Sequence, residues 1–171
     1  MKLLGAILIL LTSTAMGFMF SSRYRERPRQ LRQLKSALQS LEAEIMYGLT
    51  PIHEAAAHLA EQIPHPINGF FIELVQQLDK RNGQSFHYIW NEALENFWPK
   101  TALKINEKEI WKQFGQTLGQ TDRDNQQKHI KMALSHLDRE EKEARLAQQQ
   151  YEKMTKSLGV LGGLLLILLL F

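Results

Sequence analysis

No cysteine occurs in the 171 residues. Disulfides, thiolate nucleophiles and most structural zinc sites are thereby excluded, and the chain fits a reducing compartment. Proline is scarce, five residues in all, and each stands where a helix would begin or end. Strand signatures are lacking as well, because no segment alternates apolar and polar residues with period two. The sequence carries no GxSxG, no P-loop and no dinucleotide-binding glycine fingerprint.

What the sequence has in plenty is apolar surface at its two ends. Leu3 to Phe20 is 18 residues without a charge, and Leu158 to Phe171 is 14 residues without a polar group. As helices they reach about 27 and 21 Å, against a hydrocarbon core of about 30 Å. The shorter one can borrow Met154 and Thr155 while Lys153 and Lys156 reach back to the headgroups. Both are expected to be membrane anchors, over 1–22 and 157–171. A cleaved leader is the alternative for the first, since Lys2, an apolar core and the small residues of TSTAMG fit one. Arg23, Arg25, Arg27, Arg29, Arg32 and Lys35 follow at once, however, and positive flanks stay on the cytoplasmic side. With Lys142, Arg145, Lys153 and Lys156 ahead of the second anchor, the expected topology is two spans with the middle in the cytoplasm.

The excess of positive charge is local. Residues 23–35 hold those six bases against Glu26, whereas 36–157 hold 14 bases and 17 acids. Such a collar suits anionic lipid headgroups. Nucleic acid would require the basic face on the folded domain, so no nucleic-acid partner is expected.

Between the ends the periodicity is helical throughout. Leu31, Leu34, Leu38, Leu41 and Ile45 form a narrow stripe on a first helix, from about Pro28 to Gly48. Thr50-Pro51 caps and opens a second with Ala55, Ala56 and Leu59 inward, and Pro64-His65-Pro66 stops it. A third, about Ile67 to Arg81, buries Phe70, Phe71 and Leu74. Ser85 caps a fourth carrying Trp90, Leu94 and Phe97 up to Trp98-Pro99. Asn106 with Glu109 has capping-box spacing for a fifth, bearing Trp111, Phe114 and Leu118. A sixth starts at Asp122 and meets neither proline nor glycine before Gly159, with Ile130, Leu137, Ala144 and Tyr151 every seven residues. The fold class read from this is all-α: a six-helix antiparallel bundle, its domain at 36–156 behind a basic juxtamembrane segment at 23–35, flanked by transmembrane helices.

Candidate chemistry is thin. Asp122, Asp124 and Gln126 begin like a calcium loop, but Gln127 and Ala133 stand where glycine and glutamate are needed. The stretch is a corner between two helices, its acids favouring a helix start. His53 and His58 are one residue too far apart to share zinc on one helical face. His129 and His136 share a face two turns apart, so a metal-dependent enzyme built on them stays open as an alternative. Glu42 and Glu44 point to different sides of their helix and make no acid–base pair, though either can contact a partner. The run DREEKEAR reads as an exposed face with pairs Asp138–Lys142 and Glu141–Arg145.

Two local pieces carry a resemblance that extends over essentially the whole chain: Leu41-Glu42-Ala43-Glu44-Ile45 with Thr50-Pro51, and Leu118-Gly119 with Asp122 and Gln126. With the arginine-rich flank and the GxxGGLLL tail, the sequence resembles the stage III sporulation protein AB family of endospore-forming bacteria. The resemblance implies a helical domain similar to the cytoplasmic one of type II secretion inner-membrane platform proteins, present here once rather than twice. It further implies a non-enzymatic scaffold, without cofactor, in a channel complex linking mother cell and forespore. The expected partners are a secretion-type ATPase, stage III sporulation protein AA, and other stage III A membrane proteins. Glu42, Glu44, Asp122 and Gln126 are the expected partner contacts, and the six bases from Arg23 to Lys35 the expected lipid contacts. An exported helical protein with a cleaved leader is the remaining alternative.

Overall fold

The computed structural model describes residues 24–80, 83–118 and 123–170. Six helices follow one another, and no strand occurs among the described residues. Helix α1 covers 24–42 and tightens into a π-turn at Ala43–Tyr47. Then come α2 (Ile52–Gln62), α3 (Asn68–Asp79), α4 (Phe86–Phe97) with a 3₁₀ turn at Trp98–Lys100, α5 (Ile105–Thr117) and α6 (Arg123–Leu170). The expected anchor at 1–22 lies outside the described residues. At 157–171 the backbone is helical to Leu170, and the side chains there lie outside the described ones. Among the described residues no helix is long and apolar enough to cross a membrane.

The apolar stripes find each other as their periodicity requires. Leu31, Leu34, Leu38 and Leu41 of α1 are buried, as are Ala55, Ala56 and Leu59 of α2 and Ile130, Leu137 and Ala144 of α6. Helices α2 to α6 pack each against the next in order. The centre is aromatic: Phe70 meets Trp90 edge-on at 4.7 Å, and Trp90 lies against Trp111 at 5.7 Å. Two of the three buried indoles have a polar outlet, the common arrangement, while Trp111 Nε1 has no hydrogen-bond partner. Trp90 Nε1–H donates to the Trp111 carbonyl at 3.2 Å, and Trp98 Nε1–H to the Lys104 carbonyl at 3.2 Å.

Helix ends differ from expectation in three places. Helix α1 begins ahead of Pro28, so residues 24–35 belong to the bundle rather than to a separate collar. Thr50 does not cap α2. Pro51 occupies the cap position, and the Thr50 hydroxyl donates to Glu44 Oε2 at 2.7 Å instead. The fifth helix is closed by Glu107 rather than by Asn106 and Glu109, because it begins two residues earlier: the Lys104 amide donates to Glu107 Oε2 at 2.6 Å. Ser85 does cap α4, accepting from the Tyr88 amide. Gly48 is needed for room rather than for a left-handed backbone. A side chain there would press on the Glu44 carbonyl and the Thr50 hydroxyl, while the positive φ falls on the next residue, Leu49, at 55°.

Candidate functional site

The long pair α1 and α6 defines the two ends of the molecule. Tyr24 stacks on Tyr151 with ring centroids 4.6 Å apart, and farther along Lys35 meets Asp138 at 2.7 Å. Rising numbers on one helix meet falling numbers on the other, so the two run antiparallel. The start of α1 and the distal stretch of α6 therefore lie at one end. The π-turn after α1 and the first turns of α6 lie at the other.

Three charged side chains are buried between α1, α5 and α6. Arg27 Nε donates to Glu107 Oε1 at 2.7 Å, and its Nη2 to Glu140 Oε2 at 2.9 Å. Glu107 is completely inaccessible, and Arg27 and Glu140 nearly so. One planar guanidinium can serve two carboxylates because it offers donors in a fixed fork. Glu107 also closes the first turn of α5, so one carboxylate ties that helix start to α1. Beside this triad is a cavity of about 240 Å³ lined by Tyr24, Arg27, Lys104, Ala144 and Ala147.

This burial corrects the expected lipid contacts. Arg27 faces the interior because two glutamates draw it there, so it cannot serve a headgroup. Lys35 also turns inward, held at 2.7 Å from Asp138 and 3.0 Å from Glu141. Arg25, Arg29 and Arg32 are exposed, the last 3.9 Å from Glu141. Arg23 lies outside the described residues.

The acidic run on α6 is likewise half interior. Both expected pairs form, Asp138–Lys142 at 2.8 Å and Glu141–Arg145, yet Glu140 and Glu141 are buried. Hydrogen bonds from Lys142 and Lys35 hold the Asp138 carboxyl at about 2, below its ordinary 3.8. Burial pushes Glu141 up, but bonds from Lys35 and Arg145 outweigh it and leave the group lowered. The Asp138 bond in turn raises Lys35, against its desolvation. Asp138 has a folded value below the unfolded one, so its contribution is present above about pH 4 and lost as pH falls towards 2. Asp138→Asn is thus expected to unfold more readily than wild type at neutral pH. The difference should close by about pH 2; a gap of constant size across that range would rule out this seam as its origin.

At the far end, Glu44 accepts from the Thr50 hydroxyl at 2.7 Å and faces His58 Nδ1 at 3.1 Å. Those two neighbours, Thr50 first, lower its carboxyl. It fastens the π-turn to α2. Glu42 is half-buried on the last turn of α1, and Gln126 is buried in the first turns of α6. Asp122 lies outside the described residues. The antiparallel register brings Glu42, Glu44 and Gln126 to this same end. Tyr47 and Leu49 project from the turn, both largely exposed.

The histidines do not converge. His53 pairs with Asp79 at 2.8 Å, so it and His58 each serve a separate carboxylate. His129 and His136 line a shallow cleft with Ile110, Phe114 and Met132 between α5 and α6. Among the described residues no three His, Asp or Glu side chains group so as to hold a metal ion.

Comparison with known proteins decides the family. The sequence model of stage III sporulation protein AB matches residues 2–171. The chain belongs to this family. A stage III sporulation protein AB of Bacillus subtilis (strain 168) is 52% identical over 170 residues, covering 99% of each chain. A solved structure of stage III sporulation protein AB superposes with a TM-score of 0.68 at 50% identity, over 73% of this chain and 98% of that one. Membership of the stage III sporulation protein AB family makes this a sporulation protein.

Proposed function

We propose that the chain is a membrane-anchored, non-enzymatic platform for endospore formation, with its bundle on the cytoplasmic, mother-cell side. One end would stand on the membrane and the other would dock a secretion-type ATPase, within a channel complex shared with other stage III A proteins. The observation that carries this reading is the antiparallel α1–α6 pair. Tyr24 and Tyr151 stack at the end to which both apolar segments, 3–20 and 158–171, adjoin in sequence. From Tyr151 the helix continues to Leu170, about 28 Å farther. Anchoring of both segments in one membrane fits that geometry. Exposed Arg25 and Arg29 near the same end would meet anionic headgroups.

At the opposite end, Glu42 and Gln126 would contact the ATPase beside the projecting Tyr47 and Leu49. Glu44 has a task of its own in holding the turn, so Glu42 is the cleaner test. Glu42→Lys is expected to leave the protein inserted and folded, to weaken ATPase binding at least tenfold (about 1.4 kcal/mol), and to depress heat-resistant spore counts. Normal counts would remove Glu42 from the dock. The absence of native cysteine also permits Gln116→Cys, an exposed position on α5, to be labelled with a membrane-impermeant maleimide. Labelling only after lysis supports the topology, and labelling of intact cells sinks it.

A further inference from the structure

The outer face of α6 has a character of its own. Opposite the buried line Ile130, Leu137 and Ala144, it turns Lys128, Lys131, Arg139, Lys142 and Lys153 to the exterior, with Glu143 as their acidic neighbour. Helical spacing puts all of these within about 60° of the direction opposite Leu137. From Lys128 to Lys153 the strip is about 37 Å long. Two large apolar side chains stand within it, Met132 at 53% and Leu146 at 66% exposed. At the other end of the packing order, α2, α3 and α4 form a continuous surface. His53–Asp79 and Asn96–Glu73 join their outer edges. There the balance is reversed, with six acids, among them Glu54, Glu61 and Glu92, against two bases in residues 52–97. That face also exposes large apolar side chains, Ile72 and Tyr88.

We propose that the basic face of α6 docks on the acidic α2–α4 face of a second copy of this chain. Both faces lie on the sides of the bundle, apart from Glu42 and Gln126 at its far end. Each face combines large exposed apolar anchors with a clear excess of one charge sign, Asp138 at the edge of the α6 strip pairing with Lys142, the composition of an interface core and its rim. The signs are opposite, so encounter is steered and like faces repel. The two faces are different patches on different helices, so the contact is heterologous. Copies then add head to tail, side by side, closing into a ring or extending as a row. The contact weakens as salt rises, because both faces are exposed.

The test uses the full-length chain, which has no native cysteine, in the membranes of cells making two differently tagged forms. One form carries Arg139→Cys and the other Glu92→Cys. Oxidation at low salt is expected to give a covalent dimer of the two tags. When both forms carry Arg139→Cys, the yield should be at least tenfold lower. Adding Lys128→Glu and Lys131→Glu to the first form should abolish the mixed dimer. Adding Glu54→Lys and Glu61→Lys to the second should then restore it, which a misfolded variant cannot do. Equal yields from the Arg139→Cys pair alone would overturn the proposal, as would a mixed dimer unaffected by reversal. It also falls if no mixed dimer forms, and weakened binding of the Lys128→Glu, Lys131→Glu form to phosphatidylglycerol vesicles would then make the face a lipid surface.

Discussion

Arg27→Met is expected to destabilise the chain by roughly 3–5 kcal/mol, the usual effect of stranding buried charges by removing their partner. For a chain of this size the melting temperature should fall by about 10 °C or more. The cause is specific. Glu107 and Glu140 are both buried against this one guanidinium, and methionine fills its volume without offering a donor. Arg27→Lys should recover only part of the loss, since an ammonium is a point charge and cannot span two carboxylates as a fork does. The triple variant Arg27→Met, Glu107→Gln, Glu140→Gln should regain most of it, because a neutral trio needs no counter-charge. Glutamine at 107 keeps an oxygen for the Lys104 amide, so the α5 cap survives. If Arg27→Met alone melts with wild type, the triad is solvated through the neighbouring cavity and does not hold the three helices together.

The triad also shows how far the sequence could be read. The stripes of Leu31 to Leu41, of Trp111 to Leu118 and of Ile130 to Ala144 announced their helices and inward faces, because apolar burial dominates helix docking and obeys a period of 3.6. The six-helix count and the proline stops followed from the same local physics. Arg27, Glu107 and Glu140 were missed as a group, although each occupies an apolar register. Arg27 precedes Leu31 by four, Glu107 precedes Trp111 by four, and Glu140 follows Ala133 by seven. A charge on a buried stripe is the available signal, but its partners lie 80 and 113 residues away in sequence, where no local pattern reaches. Proximity to the apolar segment made the whole run Arg23 to Lys35 look like one collar. The helical period then sorts it: Arg25, Arg29 and Arg32 outward, Arg27 and Lys35 inward.

Cap positions were less legible for a related reason. Thr50 and Asn106 have the right chemistry for caps, yet tertiary partners moved the helix starts. Glu44 takes the Thr50 hydroxyl, and Glu107 closes α5 while bound to Arg27. The far-end residues Glu42, Glu44 and Gln126 were separate motifs in the sequence. Only the antiparallel pairing of α1 with α6 brings them to one end.

Gly115→Ala is expected to destabilise strongly, against the usual trend. Within a helix that exchange ordinarily gains about 1 kcal/mol, and Gly115 lies inside α5, buried. A β-carbon there would, however, fall within the indole of Trp90. Trp90 has nowhere to go. Phe70 stands at 4.7 Å, Phe86 at 5.8 Å, Trp111 at 5.7 Å and Phe114 at 6.0 Å between ring centroids. Its Nε1–H is tied to the Trp111 carbonyl, and the Gly115 carbonyl itself lies 3.0 Å from His87 Nδ1. Overpacking costs about 1–3 kcal/mol, and a lost buried indole bond adds about 1–3 kcal/mol. These exceed the propensity gain, for a net loss of roughly 3 kcal/mol and about a 10 °C fall in melting temperature. A double-mutant cycle separates this clash from any general effect of the substitution. Trp90→Phe alone leaves a cavity and destabilises, but combined with Gly115→Ala the smaller ring makes room for the methyl. The two changes should then compensate each other by at least about 1 kcal/mol. A Gly115→Ala protein more stable than wild type would mean that α5 can slide away from α4, and that the aromatic centre is not what sets their spacing.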